Sequence, residues 1–214
     1  MTSSGRPLRA DALRNRARVL AAAEAVFAAR GTTASTEEVA REAGVGIGTV
    51  FRHFPTKESL LEAVLAGLLE RLAEEARALL DSPDPGAAFF GLLARVVGQA
   101  ATKQAVSEAL ARAGVDAREA AGPARPELRS ALGVLLERAQ GAGAVRADVG
   151  PAQVLALLAG LSYAAGHAGA GDDVLKIAFD GLRPPGGAPV VTPVAPVSRP
   201  ARPEDRPGAG RSGT

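Results

Sequence analysis

The sequence predicts an all-α protein: three N-terminal helices, joined by a long fourth helix to a larger helical region. Three observations lead there. Apolar residues make up 47% of the 214-residue chain but aromatics only 3%, and Ala and Leu supply most of the remainder, a composition that favours helices over strands. Apolar positions recur at spacings of three and four almost throughout, the period of a helix with one buried face. Gly, Pro, Ser and Thr punctuate those runs where helices start and stop.

Taken in order, Val19, Ala22, Ala23, Val26 and Phe27 form the apolar face of a first helix from Asp11 to Arg30, and Gly31 ends it. In "STEEVAREAG", Ser35 and Glu38 make a capping box, Val39, Ala40 and Ala43 face inward, and Gly44 supplies a left-handed C-terminal cap. The run "GIGTVFRHF" places Val50 and Phe54 on one face and Thr49, Arg52 and His53 on the other, before Pro55 breaks it. Thr56 caps a long fourth helix whose stripe of Leu61, Leu65, Leu68, Leu72, Ala76 and Leu79 ends at "DSPDPG".

The rest is helical too. "AAFFGLLARVVGQAATKQAVSEAL" reads as a fifth helix and, past Thr102, a sixth, while "GVDAREAAGPARP" reads as a loop or short turn. A helix from Pro126 carries Leu128, Leu132, Leu135, Leu136 and Ala139, the next opens at Pro151, and "DDVLKIAFDGLRPP" is a last short helix stopped by Pro184 and Pro185. Tyr163 and His167, at i and i+4, are read as structural, with effector contact as the alternative. Eight prolines from Pro184 onward exclude a packed element. The chain thus divides into a disordered basic arm over 1–10, a three-helix unit over 11–57, a larger helical domain over 58–183 and a disordered Pro-rich tail over 184–214.

No cysteine occurs, which excludes disulfides and Cys-ligated metal centres and agrees with a reducing compartment. The N-terminus lacks an apolar signal core and no run of about 18 apolar residues follows, so a soluble, cytoplasmic protein with no membrane partner is expected. Formal net charge is only +2, yet up to Arg18 five arginines (Arg6, Arg9, Arg14, Arg16 and Arg18) face one acid, Asp11. Positive charge gathers at one end. With two histidines and no Ser-His-Asp, His-Glu-x-x-His or carboxylate-rich pattern, neither a catalytic residue nor a metal or cofactor site is predicted, and an enzyme is not expected.

The glycines of "GVGIGT" could cradle a nucleotide phosphate or let a backbone approach DNA. A dinucleotide fingerprint needs a preceding strand, but here a capped helix precedes; a Walker loop needs a lysine before its Ser/Thr, and none adjoins Thr49. Two short helices joined by a tight glycine turn instead make a helix-turn-helix, whose second helix enters a major groove. Gly46 and Gly48 would permit close approach to the sugar-phosphate chain.

The stretch "VFAARGTTASTEEVAREAGVGIGTVFRHFPTKESLLEAVL" resembles the DNA-binding domain of the TetR family of transcriptional regulators, and "ATKQAVSEAL", "LLERAQGAGAVRADV" and "DGLRPP" resemble the branch with an SbtR-like C-terminal domain. The resemblance implies a DNA-binding set of Thr36, Gly46, Ile47, Gly48, Thr49, Phe51, Arg52, His53 and Lys57. Thr36 would touch a phosphate or serve only as a cap, Arg52 would fork onto guanine, and Lys57 would hold a phosphate. Phe51 stands where tyrosine is usual, removing a hydroxyl, and Ile47 where a polar residue is frequent, leaving an apolar contact of the kind a thymine methyl offers.

One short recognition helix reads too few base pairs, so a homodimer on a palindromic double-stranded operator is expected, with the leucine faces of the helices from Pro126 and Pro151 as its interface. An unknown small-molecule effector would occupy a pocket between Leu61 and Leu110. Phe89, Phe90 and Leu93 with Lys103, Gln104 and Ser107 are its candidate lining, or else ordinary core. The expected function is a repressor released from its operator by that effector. The alternative is a helical module that binds nucleic acid nonspecifically through its basic N-terminus.

Overall fold

The computed structural model describes residues 5–167 and 172–185, and among them it contains helices and no strand. The elements are α1 (Gly5–Arg30), a 3-10 turn (Gly31–Thr33), α2 (Thr36–Ala43), α3 (Ile47–His53), α4 (Lys57–Leu79), α5 (Pro85–Gly98), α6 (Ala100–Arg112), α7 (Ala117–Ala120), α8 (Ala124–Gly141), α9 (Pro151–His167) and α10 (Asp172–Leu182). Residues 186–214, most of the expected tail, lie outside the described residues.

Local chemistry sets most boundaries. Ser35 Oγ accepts from Glu38 N–H at 3.2 Å while the Glu38 carboxylate accepts from Ser35 N–H at 3.0 Å, closing the capping box of α2. Thr56 and Ser59 make the corresponding reciprocal pair at α4, at 3.0 and 3.1 Å. Asp84 caps α5 ahead of Pro85. Three boundaries differ from the sequence expectation. α1 begins at Gly5, so residues 5–10 continue the helix instead of forming a disordered arm. Pro7 falls in the first turn, where a missing N–H removes no intrahelical bond, and Leu8, Arg9 and Ala10 are good helix formers. α6 starts two residues early at Ala100, and α8 starts at Ala124, which puts Pro126 in its first turn.

Two apolar clusters fill the interior. The first joins Val19, Phe27, Val39, Val50 and Phe54 to Leu60, Leu61, Leu65 and Leu72 of α4, and it continues into Val106 and Leu110 of α6. The second gathers Phe89, Phe90 and Leu93 of α5 with Leu132, Leu135 and Leu136 of α8, Leu158 of α9 and Phe179 of α10. The first core therefore crosses the expected boundary at residues 57 and 58, because α6 packs beneath α1 and the 3-10 turn.

The leucines expected at a subunit interface are used within the chain. Leu132, Leu135, Leu158 and Leu161 are buried, since α8 packs on α4 and α5 while α9 packs on α5 and α6. α9 leaves exposed Pro151 and Gln153 in its first turn, the small residues Ala152, Ala156, Ala159 and Gly160, and Tyr163. The exposure of Tyr163 departs from its expected structural role. The His167 side chain lies outside the described residues.

Leu135→Ala should lower unfolding free energy by about 2–5 kcal/mol, the cost of deleting a fully buried leucine side chain. Leu13→Ala, at an exposed site, should stay within about 0.5 kcal/mol of the parent in the same urea titration at matched protein concentration. Equal losses would contradict the burial pattern.

Candidate nucleic-acid interface

The α2-turn-α3 unit is clamped from several sides. Gly44 ends α2 at φ +62°, and its N–H reaches back to the Ala40 and Arg41 carbonyls. The α1 residue Arg18 donates to the Ala43 carbonyl at 2.6 Å, taking up one of the carbonyls that a helix end leaves open. That same guanidinium lies 3.0 Å from where a Cβ on Gly44 would sit. Below α3, the Arg16 guanidinium stands 5.3 Å from the centroid of the Phe54 ring, a cation–π contact that joins α1 to the end of the motif. Lys57 Nζ donates to the Ala34 carbonyl at 2.6 Å and ties the start of α4 to the segment before α2.

With Val50 and Phe54 turned inward, α3 leaves Ile47, Gly48, Phe51 and Arg52 exposed and Thr49 and His53 partly so. No acid occurs on this helix, and the Arg52 guanidinium has no ion-pair partner among the described residues. A Cβ added at Gly46 or Gly48 would meet nothing within 4 Å, and neither has a positive φ. Packing within the chain thus requires glycine at neither position.

The other two expected contacts are less open. Thr36 is 8% exposed, and its hydroxyl is 3.4 Å from the Glu37 carboxylate. Glu37 and Glu38 already occupy the positive first turn of α2. The Glu37 carboxyl is held below the usual range, first by its own backbone N–H and then by the Ser35 hydroxyl. Lys57 keeps one N–H on Ala34 and retains two further donors.

Farther along the chain, α4, α6, α8 and α9 surround a cavity of about 590 Å³. Lys103 and Ser107 line it as expected, but Phe89, Phe90 and Leu93 do not, because they fill the second core. Gln104 also lies off the lining, donating to Glu108 at 3.0 Å. Sequence reasoning missed Arg118, Arg125 and Arg129, which do line the cavity. Arg125, Arg129 and Leu132 share the spacing of one helix face, a signal that becomes readable only once α8 is begun at Ala124. The Lys103 ammonium is pushed below its ordinary range, first by burial and then by the charge of Arg125.

Residues 84–184 match the model of the transcriptional regulator SbtR-like C-terminal domain, and residues 19–64 match that of bacterial regulatory proteins of the tetR family. A TetR transcription regulatory protein from Mycobacterium vanbaalenii is 44% identical with a TM-score of 0.69, over 83% of this chain and 99% of that one. The chain belongs to the TetR family. A second TetR regulator structure, SCO0520 from Streptomyces coelicolor, is 35% identical with a TM-score of 0.68, over 79% of this chain and 99% of its own. The HTH-type transcriptional repressor KstR2 of Mycobacterium tuberculosis is 37% identical over 68 residues, 31% of this chain. The match spans about a third, 34%, of that curated relative's length. The N-terminal unit is accordingly the DNA-binding domain of a TetR regulator, and the C-terminal domain is of the SbtR-like type. Among the described residues no helix is long and apolar enough to cross a membrane, and no group of three or more metal-ligating side chains occurs.

Gly44→Ala should cost roughly 1–2 kcal/mol, because an alanine must adopt the left-handed conformation and displace Arg18. Gly46→Ala, at φ −70° with open space around it, should unfold within about 0.5 kcal/mol of the parent. Urea unfolding of both variants checks the pair, and a silent Gly44→Ala would refute the clamp described for this turn.

Proposed function

We propose that this TetR regulator is a homodimeric repressor that reads a palindromic operator with α3 and leaves it when a small molecule fills the cavity. The observation that carries the reading is the outer face of α3, acid-free, with an unpaired Arg52 and two glycines that no internal packing requires. Arg52 supplies the fork that fits guanine, and Ile47 and Phe51, 37% and 42% exposed, supply apolar contact of the kind a thymine methyl accepts. Thr49, His53 and the remaining donors of Lys57 serve the phosphates, with the backbone at Gly46 and Gly48 close enough to join them. Thr36 contributes least, since acids already hold the helix end beside it. With one guanidinium on the reading face, backbone contacts and duplex shape carry much of the affinity.

Dimerisation is supported by family membership and by the exposed Gly160 and Tyr163 of α9 and Val134 of α8, beside the α9 alanines that line the cavity. The repressor KstR2 supports repression as the mode of control. Effector release is supported by the double placement of α6: Lys103 and Ser107 line the cavity, while Val106 and Leu110 pack in the core that holds α1. Nonspecific binding through the basic end is not favoured, because Arg14 pairs with Asp11, Arg16 covers Phe54 and Arg18 holds the Ala43 carbonyl.

Selection of bound duplexes from a random pool at near-physiological salt should return a palindrome; tight binding without an enriched sequence would sink the operator reading. Arg52→Ala should relax preference at one symmetry-related base pair, by about 1–3 kcal/mol per half-site. Gly48→Ala should leave stability equal or higher, since alanine favours a helix by about 1 kcal/mol, while operator affinity falls. Unchanged affinity in a filter or gel-shift titration of Gly48→Ala would remove the close-approach role. Sedimentation as a monomer at micromolar concentration would remove the dimer.

A further inference from the structure

We infer that the cavity takes an amphipathic anion, a small molecule with a carboxylate or phosphate head on an apolar body. The inference rests on the effector reading above and gives that effector its chemical class. The lining is mixed in character. Leu69 of α4 and Leu92 of α5 are among its apolar residues, while Lys103 of α6, Arg118 of α7 and Arg125 and Arg129 of α8 bring four cations. None of the lining residues is acidic.

No hydrogen bond or ion pair among the described residues takes up the Lys103 ammonium or the guanidinium of Arg118, Arg125 or Arg129. The acids in the neighbourhood do not line the wall. Glu127 pairs with Arg77 at 3.2 Å, Glu108 receives Gln104 at 3.0 Å and stands 3.9 Å from Arg112, and the Asp116 carboxylate accepts the backbone N–H of Arg118 at 2.7 Å. Glu119, next in sequence to Arg118, also lies off the lining.

Four like charges line a partly apolar chamber, Lys103 half-buried and Arg118, Arg125 and Arg129 exposed to solvent; they repel one another, and burial disfavours the charge on Lys103 further. Helix geometry adds to this. Arg125 sits in the first turn of α8, where the macrodipole is already positive and a cation is disfavoured. That gathering of positive charge beside a half-buried ammonium, with no counter-charge among the lining residues, is relieved when a ligand brings the negative charge. Arginine forks match the paired oxygens of carboxylate and phosphate alike. At about 590 Å³ the cavity falls inside the roughly 300–1,000 Å³ range of small-molecule sites, so a head group and an apolar body fit together.

The test uses four compounds that share one apolar body: octanoate, octyl phosphate, 1-octanol and octylammonium. Each is titrated calorimetrically into DNA-free full-length protein at low and near-physiological salt. At least one anion should bind about tenfold or more tightly than octanol, the ammonium should bind weakest, and added salt should weaken the anion selectively. The two anionic arms separate a carboxylate head from a phosphate head. Lys103→Gln combined with Arg129→Gln should abolish the anion preference while octanol binding persists; if that variant does not fold, the salt dependence of the parent decides. Equal affinity for anion and alcohol overturns the charge class while leaving an effector site, and failure of both anions to bind overturns it as well. Operator release is not part of the readout, so a protein that binds octanoate yet never leaves DNA would defeat the effector reading alone.

Discussion

Everything in this molecule depends on α4 belonging to two cores at once. Leu60, Leu61, Leu65 and Leu72 pack into the cluster that contains the DNA-binding helices, and Ala76, a turn farther on, packs into the cluster of α5 and α8. Fully burying a leucine side chain is worth roughly 1.5–3 kcal/mol, so neither half of α4 can be pulled from its neighbours cheaply. α6 adds a second tie: Val106 and Leu110 pack in the first cluster, while the same helix packs on α9. Two helices, not one, therefore fix how the DNA-binding domain sits on the rest of the chain.

That double attachment is also what gives the proposed switch a physical route. Lys103 and Ser107 lie on one face of α6, and Val106 and Leu110 lie on the adjoining face. A ligand that favours one position of α6 necessarily biases the packing beneath α1 and the 3-10 turn, because close-packed side chains do not deform continuously. The ligand can shift the equilibrium only by as much as it prefers one arrangement over the other, typically 1–3 kcal/mol between coupled sites. An opposite charge entering a cavity lined by unpaired cations is a source of such a preference, since it acts on the half-buried Lys103.

How much of this was legible in the sequence follows from which signals are local. Capping boxes at Ser35 and Thr56, the left-handed Gly44 and the breaker Pro55 act within a few residues, so the helices of the DNA-binding domain could be read almost to the residue. Val50 and Phe54 fixed the register of α3, and with it the outward Arg52. Local signals gave no warning of the α1 start, because a proline in a first turn looks like a break until the turn is known to be the first. The cavity was the least legible part. Phe89, Phe90 and Leu93 have the same spacing whether they line a pocket or fill a core, and the choice was made by α8 and α10 arriving from far along the chain. Arg118 and Arg125 were hidden for the same reason, in a segment whose glycines and prolines read as loop.

The clamps around the helix-turn-helix then acquire a mechanical meaning. The Arg18 bond to the Ala43 carbonyl, the Lys57 bond to the Ala34 carbonyl and the Arg16 contact with Phe54 each join a different edge of the motif to α1 or α4. A motif held on those edges does not flex separately from its supports, so a displacement of α4 or α6 carries α3 with it as a body. In a two-fold dimer this matters more than any change at a single contact. Half-sites are spaced by about one helical turn of DNA, and a rigid rotation of each protomer alters the separation of both recognition helices together. The sparse base readout proposed for α3 sharpens the effect: with Arg52 alone on bases and the other proposed contacts on backbone, affinity would depend on spacing and phosphate register, the two quantities that such a rotation spoils.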